Sequence, residues 1–196
     1  MVNHKIILAS NSPRRRELMS GLGIPFEVRV LPDIDESYPA SLTAQETAEY
    51  IATKKAVAYK RQMSDNELII TADTVVIVDD EVLGKPSDAQ EARQMLFKLS
   101  GRTHQVVTGV CLTTLQREVH FSVTTDVTFK ELTEAEVDYY IKNYQPFDKA
   151  GSYGIQEWIG YIGCTGLRGS YYNVMGLPVQ RIYTELLRFC DDKRLA

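Results

Sequence analysis

The chain has 196 residues, 44% of them hydrophobic and 24% charged, with a net charge of −4 and a pI near 5.5. That length is enough for one well-buried core, and no linker-like stretch divides it, so one domain over residues 1–196 is expected. The acidic balance argues against non-specific nucleic-acid binding, which draws on a basic surface, and no apolar run reaches the roughly 20 residues of a membrane-spanning helix.

In chain order, "KIIL" (5–8) reads as a buried strand. Ser12-Pro13 follows as a helix start, with serine at the cap and proline where a missing N–H costs nothing, and the helix runs to about Gly21. "FEVRV" (26–30) alternates with the period of a strand. Thr43 and Glu46 have capping-box spacing and open a helix to about Gln62. "LIITADTVVIV" (68–78) is an apolar strand interrupted by Asp73 and Thr74, and "DDEV" after it predicts a tight turn into a short strand.

Ser87 and Gln90 form the next expected capping box, for a helix closing near Gly101. Residues 104–115 and 118–130 read as a hairpin, and Thr133 with Glu136 caps a helix to about Tyr144. Residues 147–172 are dotted with glycine, and Pro178 opens a last helix through about Phe189. Strands and helices alternate without a strict βαβ rhythm. An α/β fold with a mixed sheet flanked by helices is therefore expected rather than a purely parallel one.

Cys111, Cys164 and Cys190 are odd in number and far apart, which fits neither a disulfide framework nor a zinc site; they read as reduced bystanders. His4, His104 and His120 show no metal-ligand spacing. The chain enters its first strand after a few residues without a small-residue cleavage site, so a cytoplasmic location is expected.

In a chain of negative net charge, "SPRRR" (12–16) is the densest positive run, and it lies at the start of a helix. Helix amides, the dipole and guanidinium groups together suit a phosphate, although the same run also reads as a solvated helix face. Successive helical residues are about 100° apart, so Arg14 and Arg15 are expected to face a site and Arg16 solvent. No Walker loop or dinucleotide fingerprint is present.

Lys55 projects from the middle of the arc formed by Ala48, Ile51, Ala52, Ala58 and Tyr59, whereas Lys54 lies toward its edge. A lysine so placed either snorkels to solvent or carries its amine into a site. Asp73, within an apolar strand, reads as a hydrogen-bonded structural carboxylate, a metal ligand or a general base. Asp35 and Glu36 are candidate co-ligands, since carboxylates and phosphate oxygens together hold Mg²⁺.

These residues stand in stretches that resemble the Maf family of nucleoside triphosphate pyrophosphatases. The stretches are "LASNSPRRRELMSGLGIPFEV", "IATKKA", "TADTVVIVDDEVLGKPSD", "LSGRTHQVVTGV", "FDKAGSYGIQ" and "VMGLPV". The resemblance covers nearly the whole chain. It implies a single domain with an elongated mixed sheet and a cleft, similar to the inosine triphosphate pyrophosphatase architecture, and a homodimer. It also implies hydrolysis of a nucleoside triphosphate to monophosphate and pyrophosphate with a divalent cation, Mg²⁺ or Mn²⁺.

Matched residues are Ser10, Arg14, Arg15, Glu36, Lys55, Asp73, Lys85 and Gln156. Ala-Asp-Thr at 72–74 and glutamine after Tyr-Gly-Ile resemble the subgroup acting on dTTP and UTP, rather than the 7-methyl-GTP subgroup with Asp-Gln and glutamate there. The roles implied are phosphate binding for Ser10, Arg15, Lys55 and Lys85, and metal binding for Glu36 and Asp73. Asp73 is also the expected proton acceptor, and Arg14, Thr74 and Gln156 are expected to select the substrate, a pyrimidine nucleoside triphosphate. Nucleotide-pool cleansing and cell-division arrest are both compatible roles. The alternatives are a 7-methyl-GTP pyrophosphatase and a regulator that senses nucleotides without hydrolysing them. An RNA-binding module fits neither the charge nor the lack of an aromatic recognition motif.

Overall fold

The computed structural model describes residues 4–191, with side chains to Phe189. Its strands are β1 (Lys5–Leu8), β2 (Phe26–Val28), β3 (Glu67–Val78), β4 (Glu81–Leu83), β5 (Thr103–Thr113), β6 (Glu118–Phe129) and β7 (Cys164–Arg168). Its helices are α1 (Pro13–Ser20), α2 (Ala44–Lys60), α3 (Ala89–Leu99), α4 (Glu134–Tyr144), α5 (Trp158–Gly163), α6 (Tyr171–Val174) and α7 (Val179–Asp191). Among the described residues the strands form one sheet in the order β2-β1-β3-β5-β6-β7, with β4 also paired to β3. The pairs β1–β2 and β1–β3 are parallel and the others antiparallel, which is the mixed sheet expected.

Local chemistry accounts for most element boundaries. The Ser12 hydroxyl accepts from the Arg15 N–H at α1, and Glu46 accepts from both the N–H and the hydroxyl of Thr43 at α2. Thr133 and Glu136 complete a reciprocal box at α4. Asp79 and Asp80 both have positive φ, 51° and 61°, the twist that a two-residue hairpin turn requires between β3 and β4.

Two expected boundaries shift. The cap of α3 is Asp88, which accepts from the Glu91 N–H, while Ser87 donates its N–H and hydroxyl to the Glu91 carboxylate. The box is thus built around a carboxylate one residue later than the Ser87–Gln90 spacing indicates. The strand expected over 26–30 stops at Val28, because β2 lies at the sheet edge and pairs only with three residues of β1.

Alternation along β3 assigns its side chains to two faces. Ile69, Val75 and Ile77 pack beneath α2, through Tyr59 at one end and Ala44 and Ala48 at the other. Gly109 on β5 makes this contact close: a Cβ there would lie 2.3 Å from the Ala48 backbone. The opposite face carries two separate cores. Leu68, Ile70 and Ala72 pack with α1 and α7, whereas Val76 and Val78 pack with α3 and α4. Thr74 sits at the division between them.

The same segment of β3 is open along one edge. β1 pairs with residues 67–70 and β4 with 76–78, so on that side residues 71–75 have no strand neighbour. This notch in the sheet, beside the division between two cores, positions the cleft.

Candidate active site

Two adjoining cavities meet at the notch, a narrow one of about 130 Å³ and a wide one of about 740 Å³. They share Ser12, Arg14, Arg15, Lys55, Lys85 and Asp148 as walls. Asp73, Thr74 and Gln156 line the narrow end, and Ser10 and Glu36 the wide end. The nine residues matched to the family or its substrate choice, drawn from positions 10 to 156, therefore border one cleft, whereas the candidate co-ligand Asp35 does not.

Alternation sends Asp73 to the α2 side of the sheet, where Lys55 projects. The Lys55 ammonium donates to Asp73 Oδ1 and pairs with Glu36 Oε1, each at 2.8 Å. An ammonium has three N–H groups, so one remains for a ligand. Lys54 turns the other way, to Asp35 Oδ2 at 2.6 Å and the Ser37 carbonyl at 2.8 Å. Asp35 is thereby engaged outside the cleft, whereas Glu36 and Asp33 of the same loop line its wide end. Burial raises the pKa of Glu36, but Lys55, with Lys85 and Arg15 behind it, outweighs this and holds the carboxyl below its ordinary value.

Arg15 is gripped by the protein. Its Nε donates to the Gly176 carbonyl at 2.7 Å, Nη1 to the Ala72 carbonyl at 2.8 Å and Nη2 to Thr74 Oγ1 at 3.0 Å. The Ala72 carbonyl lies on the unpaired edge of β3, so the guanidinium satisfies an acceptor that no neighbouring strand reaches. Two of its five N–H groups remain for a ligand. Burial lowers its pKa, opposed by Asp73 and Glu36, and the group stays charged. The Thr74 hydroxyl, expected to read a base, is occupied by Arg15 and by Thr108 at 2.9 Å. Arg16 is half-buried rather than solvated and donates to Asn11 Oδ1 at 2.9 Å.

At the narrow end Gln156 Oε1 is buried with no hydrogen-bond partner among the described residues. An orphaned acceptor inside a cavity is costly unless a ligand fills it. Val76, Val106, Tyr153, Val174 and Met175 supply apolar walls around it. Lys85, a wall of both cavities, is exposed and acts on Glu36 through its charge. Ser10 is buried and accepts from the Ser12 N–H at 3.2 Å, beside the start of α1.

Glu36 and Asp73 offer hard carboxylate oxygens around one ammonium. Among the described residues no group of three or more His, Cys, Asp or Glu gathers to hold a metal alone. The donor set fits a Mg²⁺-like cation that takes its remaining ligands from a substrate and water.

The sequence matches the family of Maf-like proteins over residues 5–189. The chain belongs to the Maf family. The dTTP/UTP pyrophosphatase of Phocaeicola vulgatus is 64% identical over 183 residues, covering 93% of this chain and 95% of its own. That of Porphyromonas gingivalis ATCC 33277 is 57% identical over 191 residues, covering 96% of each chain. Among solved structures, a HAM1 protein from Coxiella burnetii aligns over 94% of this chain and 99% of its own, with a TM-score of 0.50 and 15% identity. That likeness is one of fold alone.

The Maf cleft also contains residues that the sequence reading passed over. Arg14 Nη1 pairs with Asp148 Oδ2 at 2.8 Å, and Asp148 Oδ1 accepts from Lys149 at 2.7 Å. Burial works against the Asp148 charge, but these two cations hold its pKa down to about 2. Lys149, only 8% exposed, continues to Glu157 Oε1 at 3.1 Å. Glu157 Oε2 accepts from the Tyr140 hydroxyl, which accepts from the Gly154 N–H at 3.0 Å. This chain of charges links Arg14 to the turn that carries Gln156. Its signal in sequence was a pair of charged residues within "FDKAGSYGIQ", overshadowed by the glycines.

Among the described side chains no cysteine or histidine lines either cavity. Cys111 is buried and free, Cys164 is half-buried and free, and Cys190 lies outside the described side chains. His104 is buried against Tyr153, and His120 pairs with Glu49 on the surface.

Proposed function

We propose that this Maf protein hydrolyses dTTP and UTP to the monophosphate and pyrophosphate. The observation that carries the reading is the unpartnered Gln156 oxygen, buried in an apolar recess that opens onto the four cations Arg14, Arg15, Lys55 and Lys85 where the two cavities meet. Such a cleft suits a ligand with a flat polar base at one end and a polyanion at the other. An amide sets an acceptor beside a donor, matching the adjacent N3–H and carbonyl of thymine or uracil. Curated relatives at 55–64% identity over most of the chain carry the name dTTP/UTP pyrophosphatase, which supports the same substrate class.

In the reaction a water oxygen bonds to the α-phosphorus, and the bond from that phosphorus to the oxygen bridging it to the β-phosphate breaks. Pyrophosphate departs with the electron pair. Asp73 accepts the proton of the attacking water as general base. Lys55 holds Asp73 and directs its remaining N–H to the phosphate, while Arg15 and Lys85 oppose the charge that develops on the leaving group. Ser10 and the α1 amides orient phosphate oxygens. A divalent cation, Mg²⁺ or Mn²⁺, held by Glu36 and Asp73 would supply further charge neutralisation at the phosphates.

Arg14 and Gln156 set substrate choice, and Thr74 contributes to it through Arg15. A homodimer belongs to the same reading and is checked by light scattering. Pyrophosphate release is to be measured from dTTP, UTP, CTP, GTP and 7-methyl-GTP with Mg²⁺ or Mn²⁺, for the native protein and Asp73→Asn. Release from dTTP and UTP that disappears in the variant is expected. Preferred turnover of 7-methyl-GTP would overturn the substrate, and intact nucleotides throughout would overturn the reaction.

A further inference from the structure

Behind Arg15 lies a closed ring of hydrogen bonds. Arg15 can only donate, so the Thr74 hydroxyl accepts from it at 3.0 Å. The Thr74 proton then has one acceptor in reach among the described residues, the Thr108 hydroxyl at 2.9 Å. Thr108 passes its own proton to the Asn173 carbonyl at 3.2 Å. That carbonyl also accepts from the Gly176 N–H at 2.9 Å, and the Gly176 carbonyl accepts from Arg15 Nε at 2.7 Å. The ring returns to the guanidinium from which it started.

The ring is anchored deeply. Thr108 and Asn173 are fully buried, and the two N–H groups of the Asn173 amide are shared among the carbonyls of Val106 and Val123 and Thr125 Oγ1, tying the α6 turn to the β5–β6 hairpin. Gly176 has a φ of +112°, a conformation that L side chains rarely adopt, and it presents its carbonyl to Arg15 from there. Thr108 does not line the cleft. Its effect on a ligand must pass through its bonded partners, Thr74 on one side of the ring and the Asn173 carbonyl on the other.

We propose that Thr108 is a positioning residue: its buried hydroxyl fixes Thr74, and through it the orientation in which Arg15 meets the polyphosphate. Thr74 then governs phosphate recognition through Arg15, not by donating to a base. The inference rests on the proposed reading in taking the ligand of Arg15 to be a polyphosphate.

The test compares native protein with Thr108→Val, Thr108→Ala, Thr108→Ser, Thr74→Val and the double variant Thr74→Val/Thr108→Val. Calorimetric titration with inorganic tripolyphosphate at constant Mg²⁺ is the primary readout, beside thermal unfolding and turnover of dTTP. Thr108→Val is expected to weaken tripolyphosphate about tenfold, the scale of one lost hydrogen bond to a charged group, and Thr108→Ser to stay within about twofold of native. Because both hydroxyls act in series, the double variant is expected to bind as Thr74→Val does.

Thr108→Ala removes the same hydroxyl without pressing a methyl against the Asn173 carbonyl, so it gives the comparison should the valine variant not fold. Native affinity in both deletion variants, failure of serine to rescue, or losses that multiply in the double variant would each overturn the proposal. A native protein that binds tripolyphosphate in the expected pattern yet leaves dTTP and UTP intact would overturn the proposed reaction and leave the positioning role standing.

Discussion

Lys54 and Lys55 are adjacent and chemically identical, yet only one enters the cleft. The apolar arc of α2 already distinguishes them in sequence, and the structure sends Lys55 to Asp73 and Glu36 and Lys54 to Asp35. Lys55→Ala is expected to lower kcat/KM for dTTP by at least about a hundredfold, since it leaves two carboxylates unpaired and removes a phosphate cation. Lys54→Ala is expected to change it by less than about threefold, the scale of an exposed pair. Steady-state kinetics on the two variants checks both. At Gln156 the chemistry of the edge sets the outcome. A carboxylate offers acceptors only, so Gln156→Glu is expected to lose dTTP and UTP turnover by about a hundredfold while improving a guanine triphosphate, whose N1–H and amino group are both donors. The substrate panel described above reads this directly.

At the scale of elements, the site exists because β3 changes neighbours. Its pairing with parallel β1 ends at Ile70 and its pairing with antiparallel β4 begins at Val76, and the intervening edge receives the Arg15 guanidinium instead of a strand. The other side of β3 must then be held firmly, and α2 does so by lying directly on Gly109 of β5. Gly109→Ala would force that helix off the sheet, so a loss of about 2–3 kcal/mol is expected. Denaturant midpoints at unchanged m-value check it, and because Lys55 rides on the same helix, turnover should fall as well. Most of these elements were legible in sequence. Caps at Ser12, Thr43 and Thr133 and the Asp79-Asp80 turn act within a few residues of themselves. The misplaced cap at Ser87 came from reading spacing where the stronger acceptor, Asp88, decided the start.

For the molecule as a whole, a buried histidine contributes to acid sensitivity beside the salt-bridged carboxylates. His104 is 1% exposed, bonds the Tyr153 hydroxyl at 2.7 Å and meets Phe129 and Tyr153 edge-on. Burial pushes its pKa down to about 4. Above about pH 6.5 the imidazole is neutral in both the folded and unfolded states and contributes no pH dependence. Between there and about pH 4 the unfolded chain binds a proton that the folded one refuses, so stability falls with pH, by about 3 kcal/mol over the window. Unfolding midpoints across that range should slope accordingly in the native protein, and the slope should flatten in His104→Phe. An equal slope in that variant would place the titration elsewhere.

The amino-acid sequence alone determined what local physics governs: the strand and helix periods, the capping serines and threonines and the proline-led helices. Its ordered motifs also carried the family, which the match over residues 5–189 bears out. What only the tertiary structure decided is how those groups meet. Nothing within residues 67–78 encodes that neighbouring strands leave five of them uncovered, because that depends on where other segments stop. The same holds for Thr108 and Asn173, and for the Asp148-Lys149-Glu157 chain. A hydroxyl in a valine-rich strand, or a charge between glycines, takes its role from partners far away in sequence, and pairing at that range is set by packing rather than by neighbours along the chain.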